Sequence, residues 1–306
     1  MRPISRGERD WLCHELAPGG RVVRVRALRG GVSCSVHALL LESAADTRQN
    51  VVVRRYGEDW NNDPDVCERE FKLLQALARL DYPAPRPLLL DRDGAIFATP
   101  TLVMTRLSGR ADLQPRNIDG FLEQLAQALA NLHRLPTSGL DFLPRHTDRV
   151  ESAIERRAQR EDPLESTVWQ RVHALWPTVA RDTRVIHGDF WPGNTVWYRT
   201  RLSGVVDWEM AALGTPARDV ATCRCDLANL FDPDTADAFA RRYERAAGAS
   251  VSDLAFWDLL VSTGALRYID DWSVGYRALG RDDLTAPEAR RRVERFARAA
   301  LAETEH

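Results

Sequence analysis

Val185 to Asn194 reads VIHGDFWPGN and Val205 to Glu209 reads VVDWE, with TVWYRTRLSG between them. TVWY and GVVD are strand-like runs on either side of a polar turn, so the spacing predicts a tight hairpin. Such a hairpin carries Asp207 back beside the loop from Asp189 to Asn194. Two carboxylates and one amide then converge, a set of hard oxygen donors that suits Mg²⁺, which keeps water and takes one or two protein carboxylates plus substrate phosphates. Alone, HGD is as readily a turn, and DWE a strand end followed by a helix cap. It is the two in order, at hairpin spacing, that restrict the fold.

The rest of the chain changes character along its length. Ser5 to Glu8 has the S-x-x-E spacing of a capping box ahead of Trp11, Leu12 and Leu16, which predicts a short opening helix. RVVRVRAL, VSCSVHALLLE and VVVRRYG follow as three strand-like runs joined by short polar turns, so an antiparallel sheet is expected. Asp65 to Leu80 places Val66, Phe71, Leu73, Leu74, Leu77 and Leu80 near one side of a helix. The proline-rich YPAPRP ends it, and LLLD and TPTLVMTRLSG read as two further strands. Beyond SGRADLQPRN the chain reads as helix except around the two motifs, from FLEQLAQALANLHRL and VESAIERRAQR to the long segments after Pro216. The expected division is 1–105, strand-rich, and 106–306, mainly helical, an α+β architecture.

Composition narrows the partners. A formal net charge of −2 over 306 residues argues against a dedicated nucleic-acid binder, which would present a basic face. No apolar run approaches the roughly 18 to 20 residues that span a bilayer, and MRPISRGERDW has no apolar signal-peptide core, so no membrane role and a cytoplasmic location are expected. The five cysteines are scattered and lack zinc-site spacing, which reads as reduced thiols. Lys72 is the only lysine against 41 arginines. A site that ordinarily takes lysine can therefore hold arginine simply because the chain avoids lysine.

The spacing H-x-D-x-x-x-x-N, followed by an apolar strand ending in Asp, is that of a kinase catalytic loop and its metal-binding aspartate. His187, Gly188, Asp189, Asn194, Asp207 and Glu209 resemble the HGD-x4-N and D-x-E motifs of the aminoglycoside phosphotransferase family. LANLHRL, DWEMAALGTPARDV and REF resemble its flanking blocks, and the resemblance runs in order from about Gly30 to Asp226. It implies a bilobal protein-kinase-like fold, with a small antiparallel-sheet lobe for the nucleotide and a larger helical lobe for the catalytic loop and acceptor. It also implies roles: Asp189 as catalytic base or orienter at the acceptor hydroxyl, and Asn194 and Asp207 as holders of Mg²⁺ on the phosphates of ATP or GTP. His187 and Asp219 are implied to be structural. For Glu209, two residues beyond Asp207, a further-shell metal partner and a structural hydrogen-bond acceptor are equally compatible.

In the first lobe LRGGVSCSVHAL resembles the hairpin that covers the nucleotide, through Gly30, Gly31 and Ser33, although without a full G-x-G-x-x-G these residues equally suit an ordinary hairpin turn. The strand end VVVRR falls where kinases place the lysine that contacts the α and β phosphates, and Glu70 of EREF falls where its helix partner belongs. On that resemblance Arg54 takes the role beside the phosphates and Glu70, and strand alternation then sends Arg55 the opposite way, toward solvent. LVMTRL, with Met104, resembles the segment linking the lobes, against whose backbone a purine lies.

The resemblance fixes the reaction better than the acceptor. From Arg106 onward 30 acidic residues face 27 basic ones, too mild an asymmetry to mark a pocket for polycations. Asp226, and Asp270, Asp271 and Trp272 on a later helix, could bind an amine by ion pairing and cation–π contact; they read as readily as a solvated helix face. Three readings stand in order. First is an aminoglycoside-type antibiotic phosphotransferase. Second is a metabolic kinase for a small hydroxylated amine, amino acid or sugar, of the choline, homoserine or fructosamine kind. Last is a nucleotide-binding pseudokinase, disfavoured because Asp189, Asn194 and Asp207 are all retained.

Overall fold

Ser5 caps the first helix, α1 (Arg6–Leu16), through the capping box with Glu8: the Ser5 hydroxyl accepts from the Glu8 N–H, and the Glu8 carboxylate accepts from the Ser5 N–H. Three strands follow, β1 (Arg21–Ala27), β2 (Cys34–Glu42) and β3 (Arg48–Tyr56), then α2 (Val66–Arg79), β4 (Pro87–Asp91) and β5 (Thr101–Thr105). The strands form one antiparallel sheet in the order β1-β2-β3-β5-β4. The computed structural model describes residues 2–28, 34–57, 63–155 and 162–305. Gly30, Gly31 and Ser33 lie outside them, so the expected nucleotide-covering turn is not described.

Side-chain alternation splits β3 between the two faces of this sheet. Val51 and Val53 join Leu39, Leu41 and Val103 in the core cluster that Ile4, Leu12 and Phe97 complete, on the face covered by α1. The next residue of that parity is Arg55. Arg54 and Tyr56 point the other way, where the buried Glu70, Leu73, Leu74 and Leu77 belong to α2. Both faces are therefore closed, and neither arginine ends in water.

The remaining elements are helices α3 (Ile118–His133), α4 (His146–Glu155) and α5 (Pro163–Leu175), strands β6 (Arg184–Ile186), β7 (Thr195–Tyr198), β8 (Arg201–Val205) and β9 (Ala212–Gly214), then α6 (Ala217–Leu230), α7 (Pro233–Ala247), α8 (Leu254–Ala278) and α9 (Ala286–Glu303). Two short 3₁₀ turns accompany them, the second at Pro192–Asn194 inside the HGD loop. β6 pairs antiparallel with β9, which brackets the loop between them, and β7 pairs with β8 as the hairpin expected from the spacing. That hairpin turns at Arg199, a left-handed residue with φ 57°. Its second strand lies earlier than GVVD suggested and ends at Val205. The reason is local: Asp207 is itself left-handed, with φ 71°, a conformation that cannot continue a strand ladder and that Asp tolerates better than most residues.

Two units result, Met1–Ser108 with Gly204–Glu209, and Gly109–Ser203 with Met210–His306. The change of unit falls after Ser108 rather than Thr105, and the D-x-E segment returns to the first unit although it follows the catalytic loop in sequence. Gly204 marks that return: a Cβ there would lie 2.6 Å from the Pro83 carbonyl oxygen, so only glycine passes.

Candidate active site

In the first unit Arg54 gathers three carboxylates. Its Nη1 donates to Glu70 Oε1 at 3.3 Å, and its Nη2 donates to Asp207 Oδ1 at 2.7 Å and to Glu209 Oε2. Glu70 is fixed in turn by the Trp208 backbone N–H at 3.3 Å and by the Tyr56 hydroxyl, and the Tyr56 ring lies 5.2 Å from the Arg54 guanidinium carbon. Cys34 donates its thiol to Glu209 at 3.7 Å. Burial works against the Arg54 charge, but Asp207, Glu70, Tyr56 and Glu209 outweigh it and hold its pKa well above the usual value. The guanidinium is a fixed cation whose planar fork meets several acids at once.

Formal charges on Arg54, Glu70, Asp207 and Glu209 sum to −2. An isolated excess of that size in a buried place is costly, and a divalent cation would relieve it. The exposures say which acid has room for one: Asp207 is 33% exposed, against 1% for Glu70 and 7% for Glu209. Among the described residues no group of three or more His, Cys, Asp or Glu forms a metal cage. The donor chemistry nonetheless fits Mg²⁺, which is bound through one or two carboxylates with substrate phosphates and water rather than in an all-protein cage. Glu209, buried and bonded to both Arg54 and Cys34, orients Arg54 more naturally than it reaches an ion.

In the second unit the HGD loop hangs from one carboxylate. Asp219, fully buried on α6, accepts from the backbone N–H groups of His187 at 2.6 Å and Gly188 at 2.8 Å, and from His133 Nε2 at 3.2 Å. His133 Nδ1 is 2.8 Å from the Tyr243 hydroxyl. Burial raises the Asp219 pKa, but the contacts with His133 and His187 outweigh it and leave the carboxyl below its usual range. These contacts give the LANLHRL and PARDV blocks their meaning, since one supplies His133 and the other Asp219. Gly188 has φ 79°, and a Cβ there would sit 2.3 Å from the Met210 carbonyl oxygen, which explains the glycine of HGD.

Asp189 follows, half-buried, and Asn194 returns to it: Asn194 Nδ2 donates to the Asp189 carbonyl at 2.9 Å and to its Oδ2 at 2.9 Å. The amide nitrogen is thus spent on Asp189, and the amide oxygen is the atom a hard cation would take. His187 is fully buried, accepts from the Asp189 N–H at 3.3 Å and meets the Phe190 ring edge-on, so it supports the loop.

The other expected residues fall as follows. Met104 is buried on β5 opposite Val52 of β3. Arg55 corrects the expectation of a solvent-facing charge: it is 4% exposed, donates to Glu8 Oε2 at 2.8 Å and to the Arg2 carbonyl at 2.8 Å, and lies against the Phe97 ring. The capping box had marked Glu8 only as a helix start. The Asp270 carboxylate is bonded by Arg290 of α9 at 2.6 Å. Asp271 and Trp272 lie on the exposed face of α8, with Trp272 stacked on Tyr268, and no described contact ties either to the catalytic loop. Asp226 is different. It accepts from the Tyr276 hydroxyl at 2.6 Å, and the Tyr276 ring meets Trp191 of the catalytic loop edge-on at 5.6 Å. Trp191 carried no motif that would have singled it out.

A sheet unit with a buried arginine–glutamate pair, a helical unit with an HGD-x4-N loop, and a D-x-E segment define a protein-kinase-like phosphotransferase. The model of the phosphotransferase enzyme family matches residues 25–260, and the chain belongs to that family. It is a small-molecule kinase that transfers a phosphoryl group to a hydroxyl. Homoserine kinase of Rhodospirillum rubrum is 29% identical over 227 residues, 68% of this chain and 68% of that protein. Human acyl-CoA dehydrogenase family member 11 is 26% identical over 172 residues, and there the match spans only 22% of the relative's length. Two solved structures share the fold. Choline kinase LicA from Streptococcus pneumoniae has a TM-score of 0.63 at 18% identity, covering 96% of this chain and 97% of that one. A thermostable mutant of aminoglycoside phosphotransferase APH(4)-Ia in ternary complex with AMP-PNP and hygromycin B has a TM-score of 0.66 at 16% identity, covering 96% and 99%.

Proposed function

We propose that the chain moves the γ-phosphate of ATP or GTP to the hydroxyl of a small amine-bearing acceptor. Residues of the first unit bind the nucleotide and those of the second hold the catalytic loop and the acceptor. The observation that carries this reading is the convergence of Glu70, Asp207 and Glu209 on Arg54, a charge excess open to solvent only at Asp207. Arg54, held by Glu70, presents its fork to the phosphates. Asp207 and Asn194 would hold Mg²⁺, which when bound neutralises phosphate charge. Asp189, oriented by Asn194, accepts or orients the acceptor's hydroxyl proton. Asp219, bonded to two loop N–H groups, keeps that carboxylate in place.

Hygromycin B in the APH(4)-Ia complex, and the choline and homoserine of the named relatives, are all hydroxylated amines. The half-buried Asp226 supports an amine in this chain also. No described helix is long and apolar enough to cross a membrane. We place the enzyme in the cytoplasm, where nucleoside triphosphate is available.

The test is nucleotide consumption with a panel of hydroxylated acceptors, in Mg²⁺ and in excess chelator, alongside nucleotide titration. Turnover is expected to vanish in chelator and in Asp207→Ala. Asp189→Asn should remove most turnover while nucleotide affinity stays within about threefold, since Asp189 serves the acceptor. Full activity in chelator overturns the reading.

A further inference from the structure

Arg218 stands in the first turn of α6, where the helix dipole disfavours a cation, and its side chain is half-buried. Among the described residues its guanidinium makes a single side-chain hydrogen bond, to Thr222 Oγ1, and no salt bridge. That bond lays the side chain along the helix toward its C-terminal end. One turn beyond Thr222, a rise of about 6 Å, comes Asp226. The only described partner of its carboxylate is again a neutral hydroxyl, that of Tyr276 at 2.6 Å. A guanidinium and a carboxylate thus lie about one helical turn apart on one face of α6, each satisfied by a hydroxyl and neither paired with the other.

That face looks at the catalytic loop. Asp219, next to Arg218, grips the His187 and Gly188 N–H groups, and Tyr276, next to Asp226, packs its ring against Trp191, two residues after Asp189. The two charges attract each other, with no described hydrogen bond or ion pair between them. Burial lowers the Arg218 pKa despite the attraction of Asp219, Asp189, Cys225 and Asp226. Burial, with the Asp189 charge adding to it, outweighs the Tyr276 hydrogen bond and the attraction of Arg218 and pushes Asp226 up to about 7.

Resting on the reading of this chain as a kinase for hydroxylated amines, we infer that Arg218 and Asp226 are the two ends of a zwitterion clamp, and that the acceptor is a hydroxylated α-amino acid. Its carboxylate meets the Arg218 fork and its ammonium meets Asp226 beside the Trp191 ring, with the side-chain hydroxyl at Asp189. An amino acid carries both charges on one carbon, which suits an opposed pair about one turn apart. A polycationic acceptor would leave Arg218 as an unanswered repulsion in the same site.

The test compares L-serine and L-homoserine with their analogues lacking the carboxylate (ethanolamine, 3-aminopropan-1-ol) and lacking the amine (3-hydroxypropanoate, 4-hydroxybutanoate), and with hygromycin B and choline. The readout is nucleotide consumption by the full chain in Mg²⁺. One amino acid is expected to exceed both of its analogues in kcat/KM by on the order of 10²-fold or more, because a site built around polar partners rejects ligands that leave them unpaired. Arg218→Gln should raise KM for the amino acid and erase the preference over the amino alcohol; Arg218→Lys should recover part of that preference. Asp226→Asn should erase the preference over the hydroxy acid. If Arg218 only braced the fold, amino acid and amino alcohol would fall together in Arg218→Gln, and the inference is lost. If amino alcohols, choline or hygromycin B turn over as well as or better than the amino acids, the clamp is wrong while the kinase reading stands. If no compound consumes nucleotide and Mg²⁺-nucleotide does not bind, both fail.

Discussion

Arg54 stands where a lysine is usual, and its geometry explains how the exchange is tolerated. A single ammonium has three donors on one point charge, whereas the guanidinium reaches Glu70 through Nη1 while Nη2 meets Asp207 and Glu209. The same fork can turn toward phosphate without releasing Glu70. Arg54→Ala leaves three acids facing one another in a largely buried place, and should lower kcat/KM on the order of 10²-fold, the effect of losing one preorganised electrostatic donor. Nucleotide affinity should fall with it. Arg54→Lys should regain part of the rate, since one ammonium cannot serve phosphate and all three acids. Steady-state kinetics with a nucleotide titration checks both. A silent Arg54→Ala would mean that the phosphates are held elsewhere.

Within β3 the same alternation that aims Arg54 at α2 aims Arg55 at α1, and the second half of that statement was hidden in the sequence. VVVRRYG announces a strand and its two-residue period, DVCEREFKLLQALARL announces a helix, and the resemblance to kinases paired Arg54 with Glu70 across them. What covers the other face was not legible. The capping box gave Glu8 one task, yet its carboxylate also takes Arg55 and Arg2. Likewise the hairpin and the HGD loop were legible, whereas the left-handed turn at Asp207 was not, because no pattern of apolar residues marks a φ of 71°. The relation of Arg218 to Asp226 depends on which face of α6 meets the loop, and only the bonds from Asp219 reveal that. Arg55→Ala should therefore destabilise the first unit by about 3 kcal/mol, the usual cost of removing one partner of a buried ion pair. Glu8→Gln should cost a similar amount, since the amide keeps the capping-box contact with the Ser5 N–H but not the charge that pairs with Arg55. Combining Arg55→Met with Glu8→Leu should restore much of the stability, as seen by denaturant midpoints, with nucleotide affinity unchanged throughout. Additive losses in the double variant would mean that the two residues act separately.

Taken over the whole chain, each unit depends on one buried carboxylate kept ionised. Glu8 fastens α1 to the sheet in the first unit, and Asp219 fastens the catalytic loop to α6 in the second. Burial raises the Glu8 pKa, but the Ser5 hydrogen bonds and the charges of Arg55 and Arg2 overcome it, so its carboxyl, like that of Asp219, lies below the ordinary range. A carboxyl depressed in the folded state binds fewer protons there than in the unfolded chain. Its stabilisation is complete above the unfolded pKa, about 4 for such groups, and is lost as pH falls through the lower folded value. Acidification from about pH 5 should therefore loosen both units through different residues. Asp219→Asn should weaken the second unit already at neutral pH and flatten its acid response, leaving that of the first unit intact; Glu8→Gln should do the reverse. Hydrogen exchange resolved along the chain between pH 7 and 3 separates the two. Equal flattening in both units from either substitution would show that acid acts on the molecule through some other group.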